Sequence, residues 1–317
     1  METVEKVYAP IIIFSYNRLD HLKATLQALE QADDASYSEV YIYADGYKGE
    51  EDRENVLAVH YFLKEYEKKH SYRKLAVIYR EHNLGLEQSV ITGVSEVLEK
   101  YQRIIVLEDD LIVSKDFIRF MNKALEYYEF NDKIWQISAW SEPVPELGRL
   151  KHDTYLWYRC NSWGWAIWRN RWQKIDWQVK DYTKFRFSMI KRRRFKRGGA
   201  DMADMLDMQM QGKIHSWAIR FGYAEYKNNM LTVFPKITKV RNIGHDGSGT
   251  NCHKESETAI LELKQGDIYE SGKYSFGNEV LNKRLSHLLY RSYSGSCLHC
   301  LKWSIKSLLN RLGIQQF

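Results

Sequence analysis

The chain has 317 residues, 44% hydrophobic and 28% charged, which suits one large α/β domain or two small ones and excludes a disordered chain. Lys and Arg number 47 against 41 Asp and Glu, so the net charge is only +6, and part of that excess sits in the run Lys191-Arg-Arg-Arg-Phe-Lys-Arg197. No apolar run approaches the ~18 to 20 residues of a membrane span, and Met1-Glu-Thr-Val-Glu-Lys6 lacks the pattern of a signal peptide, so a protein facing the cytoplasm is expected.

Residues 7–16 form a short apolar, β-rich run, and residues 20–31 then carry Leu22, Leu26 and Leu29 at helical spacing. Residues 39–45 read as a second strand that ends at Asp45-Gly46, and residues 50–69 as a charged amphipathic helix. A third strand over 74–79, a helix over 86–100 and a fourth strand over 103–107 repeat the pattern. This alternation predicts an α/β fold with a mostly parallel sheet flanked by helices. Chain polarity then gathers Tyr16-Asn17-Arg18, Asp45-Gly46, His82-Asn83-Leu84-Gly85 and Glu108-Asp109-Asp110 on one rim, beyond the carboxyl ends of the strands, where open sheets bind ligands.

The acidic triplet is the sharpest feature. Three adjacent carboxylates at the end of an apolar strand repel one another and are costly to bury unpaired, whereas a hard divalent cation takes oxygen ligands and reverses that penalty. Metal or sugar binding and an exposed acidic turn are the two readings of Glu108-Asp109-Asp110.

Beyond residue 115 the alternation is less regular. A helix over 115–130 and a strand over 133–139 are expected, then an aromatic-rich stretch over 153–172. Residues 181–213 read as helical, the glycine-rich segment 242–250 as a loop, and residues 285–312 as a basic amphipathic helix suited to a membrane interface, a partner or its own domain. The basic run within 191–197 reads as a solvated helix face or as a contact for lipid headgroups, and nucleic acid is not an expected partner, since no recognition motif accompanies it. The four cysteines, Cys160, Cys252, Cys297 and Cys300, contain only one closely spaced pair, so reduced thiols are expected rather than a zinc site.

With these residues assembled, the chain resembles the inverting glycosyltransferases of the GT-A fold, and more closely a bacterial sugar-transferase group related to N-acetylglucosaminyltransferase I. The likeness rests on an ordered series: Phe14-Ser-Tyr-Asn-Arg18, Tyr43-Ala-Asp-Gly46, His82-Asn-Leu-Gly-Leu86, Leu107-Glu-Asp-Asp110, Ser162-Trp-Gly-Trp-Ala166, Ser216-Trp-Ala-Ile-Arg220, and Asn242-Ile-Gly244 with Asp246-Gly-Ser-Gly249. The resemblance implies a GT-A domain over 1–255, with a nucleotide-sugar half at about 7–115 and an acceptor half at about 116–255, followed by a helical extension over 256–317.

It also implies roles. Asp45 would accept a hydrogen bond from the nucleotide base, typically uracil, and Arg18 would lie near the diphosphate, with Phe14, Asn17, Asn83 and Gly85 completing the nucleotide rim. Asp110 would bind Mn²⁺ or Mg²⁺, while Glu108 and Asp109 hold donor hydroxyls; His245 or His253 would be a further metal ligand. Trp163 and Trp165 would floor the acceptor pocket, with Trp217 and Asp246 nearby. Relatives carry an acid just before the Ser-Trp pair, where this chain has His215, so His215 is the expected general base, with Asp204 and Asp207 as alternatives.

The function implied is transfer of a sugar from a nucleoside diphosphate donor to a surface glycan or lipid-linked acceptor, at the inner face of the plasma membrane. Two other classes compete. A sugar-phosphate nucleotidyltransferase would open with a glycine- and lysine-rich loop that Phe14-Ser-Tyr-Asn-Arg18 lacks, and a degenerate glycan-binding protein would have no need of Glu108-Asp109-Asp110.

Overall fold

A computed structural model describes residues 8–246 and 273–293. The first half follows the predicted alternation closely: β1 (Ile11–Ser15), α1 (Leu19–Glu30), β2 (Glu39–Ala44), α2 (Glu50–Tyr66), β3 (Lys74–Tyr79), α3 (Gly85–Lys100) and β4 (Arg103–Glu108). β1 pairs in parallel with both β2 and β4, and β2 with β3. Successive side chains of β1 serve opposite faces. Ile11 and Ile13 join a cluster with Leu22, Leu26 and Leu29 of α1, whereas Ile12 and Phe14 join Val90, Val94 and Val97 of α3. A strand buried on both sides must be apolar throughout, which is why these segments stand out in the sequence.

The second half comprises β5 (Leu111–Val113), α4 (Phe117–Tyr128), β6 (Ile134–Ser138), β7 (Thr154–Trp157), β8 (Trp165–Trp168), α5 (Arg169–Trp172), α6 (Tyr182–Arg186), α7 (Met189–Phe195), α8 (Met202–Met210), α9 (Trp217–Lys227), β9 (Leu231–Pro235), β10 (Val240–Asn242) and α10 (Lys283–Ser292). Among the described residues the large sheet has eight strands in the order β3-β2-β1-β4-β8-β6-β9-β7, and β5 and β10 form a separate antiparallel pair. The aromatic stretch 153–172 thus holds two strands: β8 runs antiparallel between β4 and β6, and β7 closes the edge against β9.

The helical stretch predicted over 181–213 is broken into α6, α7 and α8. Gly198 and Gly199 make the last break, where Gly199 takes φ +151 and added side-chain bulk at Gly198 would strike the Tyr158 carbonyl. In α10, Leu285 and Leu289 are buried with Trp157 and Phe234, so this part of the predicted basic helix packs on its own body. The remainder of that helix, with Cys252, His253, Cys297 and Cys300, lies outside the described residues. Among the described residues no helix is long and apolar enough to cross a membrane.

Candidate active site

The parallel pairing of β1 with β4 sets Phe14 opposite Glu108 and brings the two strand ends together. Immediately beyond, the amide of Tyr16 donates to Asp109 Oδ2 at 3.3 Å, and the Arg18 guanidinium donates to Asp109 and pairs with Asp110 at 2.8 Å. From α1, the Thr25 hydroxyl donates to the Asp109 carbonyl at 2.8 Å. Asp109 and Asp110 are 3% and 6% exposed, so their pairing with Arg18 is shielded from water and strong. Burial pushes the Glu108 carboxyl up to about 8, with Asp110 and then Asp109 adding to the shift and Arg18 opposing it. Burial also raises Asp109, to about 6, against the pull of Arg18.

The β5–β10 pair brings the start of the glycine-rich loop onto this corner. Ile243 donates its amide to the Asp110 carbonyl at 2.9 Å, and the Asn242 side chain accepts from the Gly244 amide at 2.7 Å. A side chain at position 244 would overlap the Asp110 and Arg18 side chains where they stand, so glycine lets the loop lie this close without displacing them. His245 follows, its ring edge-on to Trp163 with centroids 5.3 Å apart, and Trp163 in turn meets Trp140 at 5.1 Å. Asp246 reaches His21 of α1 at 3.2 Å.

On the other side of the rim, Asp45 is 6% exposed and its carboxylate accepts from four groups. They are the amides of Gly46 (3.2 Å), Leu84 (3.0 Å) and Gly85 (3.1 Å) and the Ser89 hydroxyl (3.2 Å). Asp45 therefore holds the first turn of α3, and two amides that a helix N-terminus would offer a phosphate are already engaged. Asn83 donates to the Gly46 carbonyl at 2.9 Å, and Gly46 itself lies so close to the backbone of Glu81 and His82 that a Cβ would clash.

The structure thus unites Arg18, Glu108, Asp109, Asp110, His245, Asp246 and Trp163 at one corner, with Asn17 half-buried beside them and Asp45, Asn83 and Gly85 along the same rim. It separates others from it. Phe14 is 4% exposed and stacked on Tyr43 under α3; Trp165 and Trp217 are buried side by side with Phe221 on that same face. These three are core residues and do not line the rim. Asp204 and Asp207 are also withdrawn: Arg192 pairs with both, at 3.0 and 2.8 Å, Lys196 with Asp204 at 3.0 Å, and Tyr182 donates to Asp207 at 3.1 Å. Carboxylates so committed are structural and poorly suited to take a proton.

His215 is exposed in the turn before α9. That turn abuts the start of α3: the Ser216 amide donates to Gln209 at 2.6 Å, Gln209 reaches Glu87 at 3.4 Å, and Arg220 pairs with Glu87 at 2.8 Å. Several contributors at the corner escaped sequence reasoning, namely Thr25, His21 and Trp140. Thr25 alone left a trace, as the polar residue on the apolar stripe of α1 formed by Leu22, Leu26 and Leu29.

The fit of this corner to a divalent cation turns on one atom. Asp110 Oδ1 is buried and makes no hydrogen bond, an oxygen of the kind a hard cation takes. Among the described residues no group of three or more His, Cys, Asp or Glu side chains converges as a cage, so a cation here would draw most of its ligands from a diphosphate and water.

Residues 11–194 match glycosyl transferase family 2, more than half of the chain, and the chain belongs to that family. Over 80 residues it is 28% identical to the alpha-1,3-mannosyl-glycoprotein 2-beta-N-acetylglucosaminyltransferase of Arabidopsis thaliana, which is 24% of this chain and 18% of that one. Among solved structures, GalNAc-T7 with UDP, GalNAc and Mn²⁺ aligns over 81% of this chain and 47% of its own at 11% identity, with a TM-score of 0.47. S. aureus TarS aligns over 72% of this chain and 36% of its own at 10% identity, with a TM-score of 0.37. The chain therefore spans less than half the length of each of these relatives.

Proposed function

We propose that the protein transfers a sugar from a nucleoside diphosphate donor, with UDP the first nucleotide to test, to a hydroxyl of a glycan or lipid-linked acceptor, with inversion at the anomeric carbon. The observation that carries this reading is the unpartnered, buried Oδ1 of Asp110, set beside a guanidinium at the ends of β1 and β4 and covered by Gly244. In this reading Asp110 holds Mn²⁺ or Mg²⁺, with His245 as a further ligand; when bound, the cation neutralises charge on the departing diphosphate. Arg18 turns its planar fork from the carboxylates to phosphate oxygens, for which its geometry is equally suited. Glu108, largely protonated near neutral pH, can donate to a sugar hydroxyl as well as accept from one. Asp45 fixes the loop that carries Asn83 beside the nucleotide, and Trp163 offers a ring face to the sugar or acceptor.

The bond from the acceptor oxygen to the anomeric carbon forms as the bond to the diphosphate breaks, the electron pair leaving with the diphosphate. The acceptor proton passes to the imidazole of His215; Asp204 and Asp207 are consumed by Arg192 and Lys196.

The decisive experiment is thermal melting with UDP, with and without Mn²⁺. A cation-dependent rise is expected for the native chain, by mass action, and none for Asp110→Asn, which keeps its fold. A rise of equal size in the variant would remove Asp110 from the site and this reading with it.

A further inference from the structure

Residues 184–197 contain eight basic side chains (Lys184, Arg186, Lys191, Arg192, Arg193, Arg194, Lys196 and Arg197) and no acidic one. The fold divides them sharply. Phe185, Arg192 and Phe195 are 0%, 4% and 2% exposed, and Arg192 is locked to Asp204 and Asp207. That anchoring fixes the rotation of α7, and with it which side chains face outward. Those are Phe187, Met189 and Ile190, 72%, 81% and 68% exposed, set among the exposed Lys184, Lys191, Arg193 and Arg194. These four cations make no ion pair with any described residue. Beside them a cleft of about 410 Å³ opens between α7 and Tyr290 of α10, lined by Met189, Arg192, Arg193, Lys196 and Arg197.

Three large apolar side chains held out in water at the tip of a rigid basic element are unfavourable unless something covers them. The charge states what does. We infer that this face docks on an anionic lipid bilayer: Phe187, Met189 and Ile190 enter the boundary between headgroups and acyl chains, Lys184, Lys191, Arg193 and Arg194 meet lipid phosphates, and the cleft receives one headgroup phosphate. A polyanion such as RNA would match the charges but leave the apolar tip exposed, and an apolar partner surface would leave the cations unmatched. The contact stands apart from the transferase reading, because it is measured without donor or acceptor.

The test is co-sedimentation of the full chain with vesicles of phosphatidylcholine alone and of phosphatidylcholine mixed with phosphatidylglycerol. Binding is expected only to the mixed vesicles and is lost at high salt. The double change Arg193→Gln, Arg194→Gln should weaken it roughly 30-fold, and Phe187→Ser roughly tenfold, with melting temperatures unchanged because all three side chains are exposed. No binding to mixed vesicles overturns the inference. So does binding that neither variant weakens, which would assign the contact to another part of the chain. Binding weakened by the arginine changes alone, and matched by binding to RNA, would make this face a polyanion surface and refute the bilayer contact.

Discussion

Replacing Asp45 separates two roles that a single carboxylate at this position can have. The resemblance implies that it reads the nucleotide base, whereas the structure commits it to Gly46, Leu84, Gly85 and Ser89. Hydrogen bonds to a charged group contribute about 1.5 to 3 kcal/mol each, and neutral ones about 1. Leu84 spans both oxygens, at 3.0 and 3.1 Å, and Asp45 is 6% exposed, so water replaces the carboxylate poorly. Asp45→Ala, leaving three amides and a hydroxyl short of an acceptor, should cost about 3 to 5 kcal/mol; Asp45→Asn, which keeps one oxygen, about 2. The assay is urea unfolding of both variants, with hydrogen exchange read at Leu84 to Gln88. Exchange there should quicken before the sheet opens, since the first turn of α3 loses its anchor. A loss below about 1 kcal/mol for the alanine variant, with UDP binding abolished, would show that the carboxylate serves the base and that the hydrogen bonds to α3 are dispensable.

Arg18→Gln leaves Asp109 and Asp110 without a counter-charge. It should strengthen binding of bare Mn²⁺, seen by calorimetry, while weakening UDP roughly tenfold or more, the loss of a charge-assisted pair to phosphate; weaker binding of both would contradict the competition. Asp207→Asn breaks a buried pair with Arg192 and should lower stability by about 3 kcal/mol, whereas His215→Ala should melt like the native chain and lose turnover; the reverse pattern would exchange their roles. Glu225 is 1% exposed, with Oε1 accepting from Thr232 and Oε2 without a partner, and burial pushes its carboxyl up to about 8. The unfolded chain releases this proton from pH 4.5 upward and the folded chain only near 8, so the group's contribution is full below 4.5 and falls by about 1.4 kcal/mol per pH unit across that window. Glu225→Gln should remove that slope in urea titrations at pH 5 and pH 8; an unchanged slope would place its origin elsewhere.

The legible part of the molecule was the part whose information is local. β3 spans Lys74–Tyr79 as read, because six residues of β-rich sequence bounded by polar turns admit few other structures. β8 was not legible. Trp165-Ala-Ile-Trp168 is only four residues long, and its place between β4 and β6 depends on partners at positions 103–106 and 137–138 that no local pattern names. The same limit governed the site. Chain polarity placed Arg18 and the acidic triplet on one rim, but pairing of the guanidinium with Asp109 and Asp110 depends on the β1–β4 register and on α1. Trp163 and Trp165 are two residues apart and identical in type; only the start of β8, after Gly164 at φ +66, sends one to the core and leaves the other beside His245.

That pairing also bears on the proposed cation site. Three adjacent carboxylates, two of them almost fully buried, would repel one another strongly enough to open the corner. Arg18 supplies a tethered positive charge to two of them, and the raised carboxyl of Glu108 leaves the third largely neutral near pH 7. The corner thereby carries a charge near −1 rather than −3 before any ligand arrives. A bare cation must then compete with a guanidinium already in place. In the proposed reading, a cation that arrives with a diphosphate would not need to, because the phosphate oxygens would give Arg18 an alternative partner and leave Asp110 for the metal. In that same reading, selectivity for the loaded donor over free metal would follow from the pairing itself.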